Sequence, residues 1–303
     1  MINPYLVSIR LMLYNHEPYI REAIEGILKQ RTNFLVEVVI GDDFSTDKSL
    51  EIIREYENTS SIHFKILERK VGDEYWLNRQ KLGRLHNFYD IIENCTGKYI
   101  ALLDGDDYWT DPLKLQKQAD FLEENQEYAG CFHKIKASFG DSLVEDTAIE
   151  KRYDKVKDKA KITRMDLLQE GNFIHSCSFM FRNKSFVFSD ELIRSPVGDI
   201  LFFLTICSNG HLKRMDEYMG VYRRGTGIYS SLSLVEMCKK KMQYHMCILS
   251  SLVDENERKL FLKISMELIG QYEKVIRWDE KSIFSKKIDS AKILINRFIK
   301  KIK

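Results

Sequence analysis

The chain lacks several features that would place it quickly. Its six cysteines, at 95, 131, 177, 207, 238 and 247, include no CxxC pair and keep no regular spacing. That argues against a zinc set or a disulfide framework and reads as small apolar residues in a reducing compartment. No basic segment followed by an apolar stretch opens the sequence, so no secretory leader is expected. No apolar run approaches the ~18 residues that cross a bilayer. Lysine and arginine (47) nearly balance aspartate and glutamate (45) for a net charge of +2, which gives no global reason to expect nucleic acid. What remains is ordinary globular chemistry, 44% hydrophobic and 30% charged over 303 residues. That length suits one large domain with a smaller appendage. No internal repeat is visible.

Residues 5–13 (YLVSIRLML) predict a strand. After the polar break Asn15-His16-Glu17, Ile20, Ala23, Ile24, Ile27 and Leu28 recur at helical spacing, with Pro18 in the first turn. Residues 35–40 predict a second strand ending in Gly41-Asp42-Asp43, and Ser45 or Thr46 can cap a helix through Leu50, Ile53 and Tyr56. A strand at 62–67, a helix at 85–94 and a strand at 98–103 follow. Strand and helix thus alternate over about a hundred residues, the pattern of an α/β fold with a mainly parallel sheet and helices on both faces. Ligands bind such sheets beyond the carboxyl ends of the strands, where the chain places Asp42/Asp43 and Asp104/Asp106/Asp107. Further on, a helix is expected at 113–124, a strand at 129–135, a polar surface excursion at 136–161, and strands at 177–182 and 212–222 flanking a helix at 199–208. From about 229 the signals are helical, so the domains are set at 1–228 and 229–303.

The segment Leu102-Leu103-Asp104-Gly105-Asp106-Asp107-Tyr108-Trp109 puts three carboxylates within four residues after a buried strand. Like charges this close repel unless a cation compensates. Hard oxygen ligands suit Mg²⁺ or Mn²⁺, while a solvated acidic turn is the plainer alternative.

Four segments taken together, VSIRLMLYNHEPYIREAIEGILKQ, VVIGDDFSTDKSLEII, GKYIALLDGDDYWTDPLKLQKQ and PVGDILFF, resemble a family 2 glycosyltransferase with the GT-A fold, inverting and of the bacterial surface-polysaccharide type. The likeness is good over 5–125 and fair to about 225. It implies that Tyr14 lies against a nucleotide base, that Asp43 accepts the uracil N3–H, and that Asp104 and Asp106 hold Mn²⁺ or Mg²⁺ on the diphosphate. In the same way Asp107 adjoins the donor, Arg223 approaches the diphosphate, and Asp199 is the general base. The segment around His175 is similar to the strand lining the acceptor pocket. Arg224 stands where many members carry a histidine, and residues 72–87 replace a glycine-rich stretch typical of the family.

Glycosyl transfer needs this inventory. A divalent ion offsets charge on the leaving diphosphate, and a lone carboxylate opposite takes the proton of a poorly nucleophilic hydroxyl. The local alternatives are a helix N-cap for Asp199, an ordinary partly buried ring for Tyr14, a turn cap for Asp43, a satisfied histidine for His175, and for Trp109 either a core residue or an aromatic wall of the acceptor site. The resemblance implies a hexosyl- or N-acetylhexosaminyl-transferase with a UDP-sugar donor and a glycan or lipid-linked acceptor. Two other classes compete. A sugar nucleotidyltransferase would open with a Gly-rich loop, where this chain has Tyr14-Asn15-His16-Glu17. A non-catalytic glycan-binding scaffold would not need both acidic clusters together with Asp199.

Residues 282–303 carry seven cations against one anion, Asp289. Phe284, Ile288, Ala291, Ile295, Phe298 and Ile302 recur every three or four positions among them. This basic amphipathic helix suits an anionic membrane surface, at about 1 kcal/mol per cation, or packing on its own domain or a second subunit of a homo-oligomer. The expected location is cytoplasmic, peripheral at the inner face of the cell membrane.

Overall fold

The structure is a computed structural model that describes residues 4–57, 62–140, 142–184, 188, 190–225 and 232–302, with side chains through Trp278 except those of Asp190 and Glu191. It divides into two compact units, 1–227 and 228–303. The boundary expected at 228 falls within residues 226–231, outside the described ones.

The first unit opens with β1 (Tyr5–Leu13), α1 (Ile20–Leu28), β2 (Leu35–Asp42), α2 (Ser49–Glu57), β3 (His63–Ile66), α3 (Glu74–Leu82), α4 (Leu85–Glu93) and β4 (Tyr99–Asp104). Among the described residues the strands of this half pair in parallel, in the order β3-β2-β1-β4. Helices cover the sheet faces, so β1, β2 and β4 are near-continuous buried runs. α1 buries Ile20, Ala23, Ile24 and Ile27 along one stripe. At Gly26 the helix comes so near the Trp109 main chain that a Cβ would lie 2.8 Å from its carbonyl oxygen.

The sheet continues with β5 (Tyr108–Trp109), α5 (Lys114–Glu124), β6 (Tyr128–Phe139), β7 (Ser142–Glu145), α6 (Thr147–Tyr153), α7 (Arg164–Glu170), β8 (Met180–Arg182), α8 (Asp190–Arg194), α9 (Asp199–Cys207) and β9 (His211–Arg223). β8 joins the halves, antiparallel to both β4 and β6, and β6 pairs in parallel with β9. The sheet is therefore mixed. Among the described residues, 136–161 lie largely at the surface, as their polarity suggests, but they form regular structure and not a flexible loop: β6 runs on to Phe139, β7 pairs back on it, and Asp146 caps α6. The second unit holds α10 (Leu234–Ser251) and α11 (Glu255–Ile302), packed through His245, whose Nδ1 lies 3.0 Å from Ser265 Oγ and whose ring stacks on Phe261. The expected basic face of 280–303 rests on side chains outside the described ones. Among the described residues no helix is long and apolar enough to cross a membrane.

One core residue conflicts with its surroundings. Lys114, at the start of α5, is fully buried, and its Nζ sits 3.7 Å from the Trp109 ring centroid with no hydrogen-bond partner. Burial draws its pKa down to about 7. A lysine held below its ordinary 10.5 costs most at and below pH 7, where the folded state must carry the charge, and the cost fades as pH approaches 10.5. Lys114→Met is therefore expected to stabilise the fold by roughly 1–4 kcal/mol at pH 6–7. In paired melts at pH 6 and pH 10, the gap over wild type should narrow at the higher pH.

Candidate active site

The parallel register sets Leu13 beside Asp42 and Met12 beside Asp104, so the loops leaving β1, β2 and β4 emerge together. The first two are laced by hydrogen bonds. The backbone N–H groups of Asn15, His16 and Glu17 donate to Ser45 Oγ, Ser49 Oγ and Asp47 Oδ2 at 2.7–2.9 Å, and those of Thr46 and Lys48 donate back to Asn15 Oδ1 and Glu17 Oε2. Asn15 and Phe44 adopt left-handed backbone angles, φ 53° and 63°, which turn the chain sharply at this rim. Tyr14 stands at the same rim, 48% exposed, with its ring available to a flat ligand.

Asp43 does not stand alone. Arg79 Nε donates to its two oxygens at 2.9 and 2.8 Å, Arg79 Nη2 lies 2.8 Å from Oδ2, and the Tyr75 hydroxyl donates to Oδ1 at 3.0 Å. Tyr75 is itself sandwiched, with Arg69 3.6 Å from its centroid and His86 stacked at 5.0 Å. Tyr75 and Arg79 come from α3, in the stretch that departs from the family pattern, and sequence reasoning assigned them nothing. The Asp73 cap, whose carboxylate accepts the Trp76 N–H at 2.7 Å, was the readable sign of that helix.

The three acids of 104–107 have three different environments. Asp104 accepts from Arg10 Nη1 at 2.6 Å and from Ser176 Oγ at 3.3 Å. Asp106 has a partly open side chain whose Oδ1 lies 3.9 Å from His16 Nε2. Asp107 is 1% exposed, and its Oδ1 accepts the Arg223 N–H at 2.9 Å. Burial, then Asp106 and Asp104, push its pKa well above the usual range. Asp107, expected on the donor, ties the acidic loop to β9 through the bond from the Arg223 N–H. Arg223, expected at a diphosphate, is also a fastener here: Nη1 donates to Asp106 O at 2.5 Å, Nη2 pairs with Glu22, and the guanidinium lies within 5 Å of the Tyr19 and Tyr108 ring centroids. At Gly105 a Cβ would meet His16 Nδ1 at 2.7 Å, so any larger residue would have to displace that imidazole.

Asp199 is the first residue of α9, beneath a loop held by Arg84, whose Nη2 donates to Pro196 O at 2.6 Å. Its pKa is raised by burial first and by Asp104 second, against the opposing pull of Arg10, Arg84 and His175. Asp199 and Asp104 thus sit in each other's fields although 95 residues separate them. His175 lies at the same end, its ring 4.5 Å from that of Tyr222 and its Nε2 3.2 Å from Asp146 Oδ2. Asp146 is also paired with Arg224, and the hydrogen bonds from His175 and Arg224 overcome its burial and draw its pKa down. The Tyr222 hydroxyl, raised by burial, feels Asp107, Asp106 and Asp199. Trp109 resolves toward core: it is 3% exposed, its Nε1–H donates to Cys177 O at 2.7 Å, and it offers an acceptor no open wall.

Among the described residues no group of three histidine, cysteine, aspartate or glutamate side chains could by itself hold a metal ion. Asp104 and Asp106 offer hard carboxylate oxygens at one loop. That donor set fits Mg²⁺ or Mn²⁺, which are usually held by one or two carboxylates with substrate phosphates completing the shell.

Comparison with known proteins agrees on the family. Residues 8–187 match the family described as Glycosyl transferase family 2. An uncharacterised protein of Mycobacterium tuberculosis is 36% identical over 228 residues, 74% of this chain and 61% of its own. The chain therefore spans about three fifths of the length of that relative. The Staphylococcus aureus poly(ribitol-phosphate) β-N-acetylglucosaminyltransferase TarS is 31% identical over 121 residues, 39% of this chain and 19% of its own. The crystal structure of TarS 1–349 with UDP-GlcNAc superposes with TM-score 0.55 at 19% identity, covering 88% of this chain and 71% of that one. The mannosyltransferase PcManGT of Pyrobaculum calidifontis, solved with GDP-Man and Mn²⁺, superposes with TM-score 0.58 at 14% identity, covering 96% and 81%.

Proposed function

This chain belongs to glycosyl transferase family 2 and has the GT-A fold, and from that premise we propose that it transfers a sugar, with inversion, from a UDP-sugar to a hydroxyl of a glycan or lipid-linked acceptor in cell-surface polysaccharide synthesis. The observation that carries the reading is the mutual placement of Asp199 and Asp104: a carboxylate with a raised pKa, at the head of a helix, in the field of the acidic loop. A base poised against a hydroxyl benefits from that upward shift.

In this reading Tyr14 lies against the base and Asp43, oriented by Arg79 and Tyr75, takes the imide N–H. Asp106 with Asp104 holds Mn²⁺ or Mg²⁺, which when bound offsets charge on the diphosphate. The acceptor oxygen attacks the anomeric carbon, its proton passes to Asp199, and the bond to the diphosphate breaks on the opposite side. One displacement inverts the centre. His175 and Tyr222 line the acceptor side, with Asp146 and Arg224 fixing the histidine. The transferred unit is a hexosyl or N-acetylhexosaminyl group, residues 1–228 carry the transfer, and the helical residues 229–303 bring the enzyme to the cytoplasmic face of the membrane or to a second copy. The name of TarS, a poly(ribitol-phosphate) β-N-acetylglucosaminyltransferase, and that of its UDP-GlcNAc complex support the donor and polymer classes.

The test is UDP release from a panel of UDP-sugars with Mn²⁺, with GDP-mannose alongside. Release from at least one UDP-sugar is expected. Release from GDP-mannose alone would overturn the donor assignment, and neither binding nor release across the panel would leave a sugar-binding scaffold.

A further inference from the structure

Arg10 is out of place for a folding residue. It lies in β1, the strand between β2 and β4, opposite Val39 and Leu102 in the registers with those strands. Its side chain is fully buried. The guanidinium is 4.4 Å from the Phe88 ring centroid, Nη1 bonds Asp104, and Nε and Nη2 find no hydrogen-bond partner. Burying a charge with two unsatisfied donors disfavours folding, and a well-packed apolar residue would normally serve better. The expense falls at one place: directly behind the first acid of the acidic loop, within electrostatic reach of Asp199.

We propose that Arg10 is a positioning residue of the transfer site, a built-in counter-charge that fixes the Asp104 carboxylate and lets Asp104 and Asp199 face one cleft. The inference rests on the functional reading above. Its physical basis is the charge balance of the site. Asp104, Asp106 and Asp199 converge where a diphosphate would add further negative charge. A mobile cation can compensate only while bound. A guanidinium fixed in the sheet compensates at all times, and its short bond to Oδ1 holds Asp104 in one orientation, with Ser176 on the other oxygen. Arg84 also acts on Asp199, while its Nη2 donates to the Pro196 carbonyl at 2.6 Å. Arg10 acts on Asp199 and Asp104 together.

The experiment compares Arg10→Met, Arg10→Lys and the double variant Arg10→Met/Asp104→Asn by thermal melt and by UDP release from the best donor of the panel, with Mn²⁺. Arg10→Met is expected to melt below wild type, because Asp104 loses its counter-charge, with the double variant recovering most of that loss. It is also expected to lose roughly 10²-fold in kcat, the scale of a misplaced catalytic group, with donor KM within about threefold. Arg10→Lys is expected to recover at least a tenth of wild-type kcat. A folded Arg10→Met with kcat within threefold of wild type overturns the proposal, as does a lysine variant no better than methionine. If Arg10→Met does not fold, the double variant decides. A double variant that folds shows that Arg10 is there to compensate Asp104, whereas one that also fails marks Arg10 as structural cement and overturns it. Should wild type turn over no donor, the functional reading fails. Arg10 is then judged on melts alone, and a double variant clearly less stable than wild type refutes the counter-charge role.

Discussion

Asp199→Asn is expected to lower kcat by about 10²–10⁴-fold, the range of a lost general base, while affinity for UDP and Mn²⁺ stays within twofold of wild type. The substitution keeps the shape of the residue and its place at the head of α9 and removes only the ability to take a proton. The residues proposed for the nucleobase and the metal, Tyr14, Asp43, Asp104 and Asp106, lie on other elements. Isothermal titration with UDP separates binding from turnover, and transfer at the wild-type rate would remove Asp199 from the base role.

The same variant carries a second expectation of opposite sign. Burial and Asp104 raise the Asp199 pKa above its ordinary 3.8. Above the raised value the folded state must hold a charge that the unfolded state holds more readily, so Asp199 destabilises the fold there. Below the ordinary value both states are protonated and the penalty is gone. Its position in the first turn of a helix trims the penalty by about 0.3–1 kcal/mol without reversing it. Asp199→Asn should therefore melt higher than wild type at pH 7, with the difference shrinking as pH falls through the raised value toward 4. A loss of activity with a gain of stability is the signature of a site strained for function. Equal or lower stability at pH 7 would mean that the carboxylate is better solvated than its surroundings imply.

How much of this was legible beforehand depends on how far each residue reaches. β1, β2 and β4 are buried on both faces and had to be apolar runs, and α1 shows its stripe, so the alternating first half could be read residue by residue. α3 buries none of its residues and leaves no apolar stripe. β7 is exposed along its whole length, so local polarity read it as loop. The acidic loop was visible as a cluster, but its division of labour was not. Asp107 is buried by β9, whose Arg223 lies 116 residues away. Asp146 sits in a stretch that looks solvated and becomes buried only once α6 is capped and His175 and Arg224 close on it. Arg10 was hidden within a hydrophobic strand because its partner lies 94 residues on. Arg79, which holds Asp43, was not legible because it comes from a helix that leaves no periodic signal. Periodicity records which face of an element is buried, and it carries no record of which charged groups the fold brings together.

Asp106→Asn is expected to abolish the Mn²⁺-dependent part of UDP affinity and to lower kcat/KM by about 10²–10³-fold, the range seen when one preorganised electrostatic contact to a leaving group is removed. Unlike Asp107, Asp106 is not fully buried, and its Oδ1 faces His16 Nε2 at 3.9 Å on the same loop as Asp104, so its carboxylate can reach an ion and a diphosphate. Its main-chain carbonyl stays fastened by Arg223, so asparagine should leave the loop in place and the melting temperature little changed. Chelating the metal from wild type with EDTA should reproduce the variant's UDP affinity, and adding EDTA to the variant should change nothing further. Asp107→Asn sharpens the comparison. Its carboxyl is driven toward the neutral form, which asparagine imitates, so donor affinity should stay within a few-fold of wild type. If Asp106→Asn kept its full Mn²⁺ response while Asp107→Asn lost it, the ligand would be the buried acid, and the loop would have to open to bind its ion.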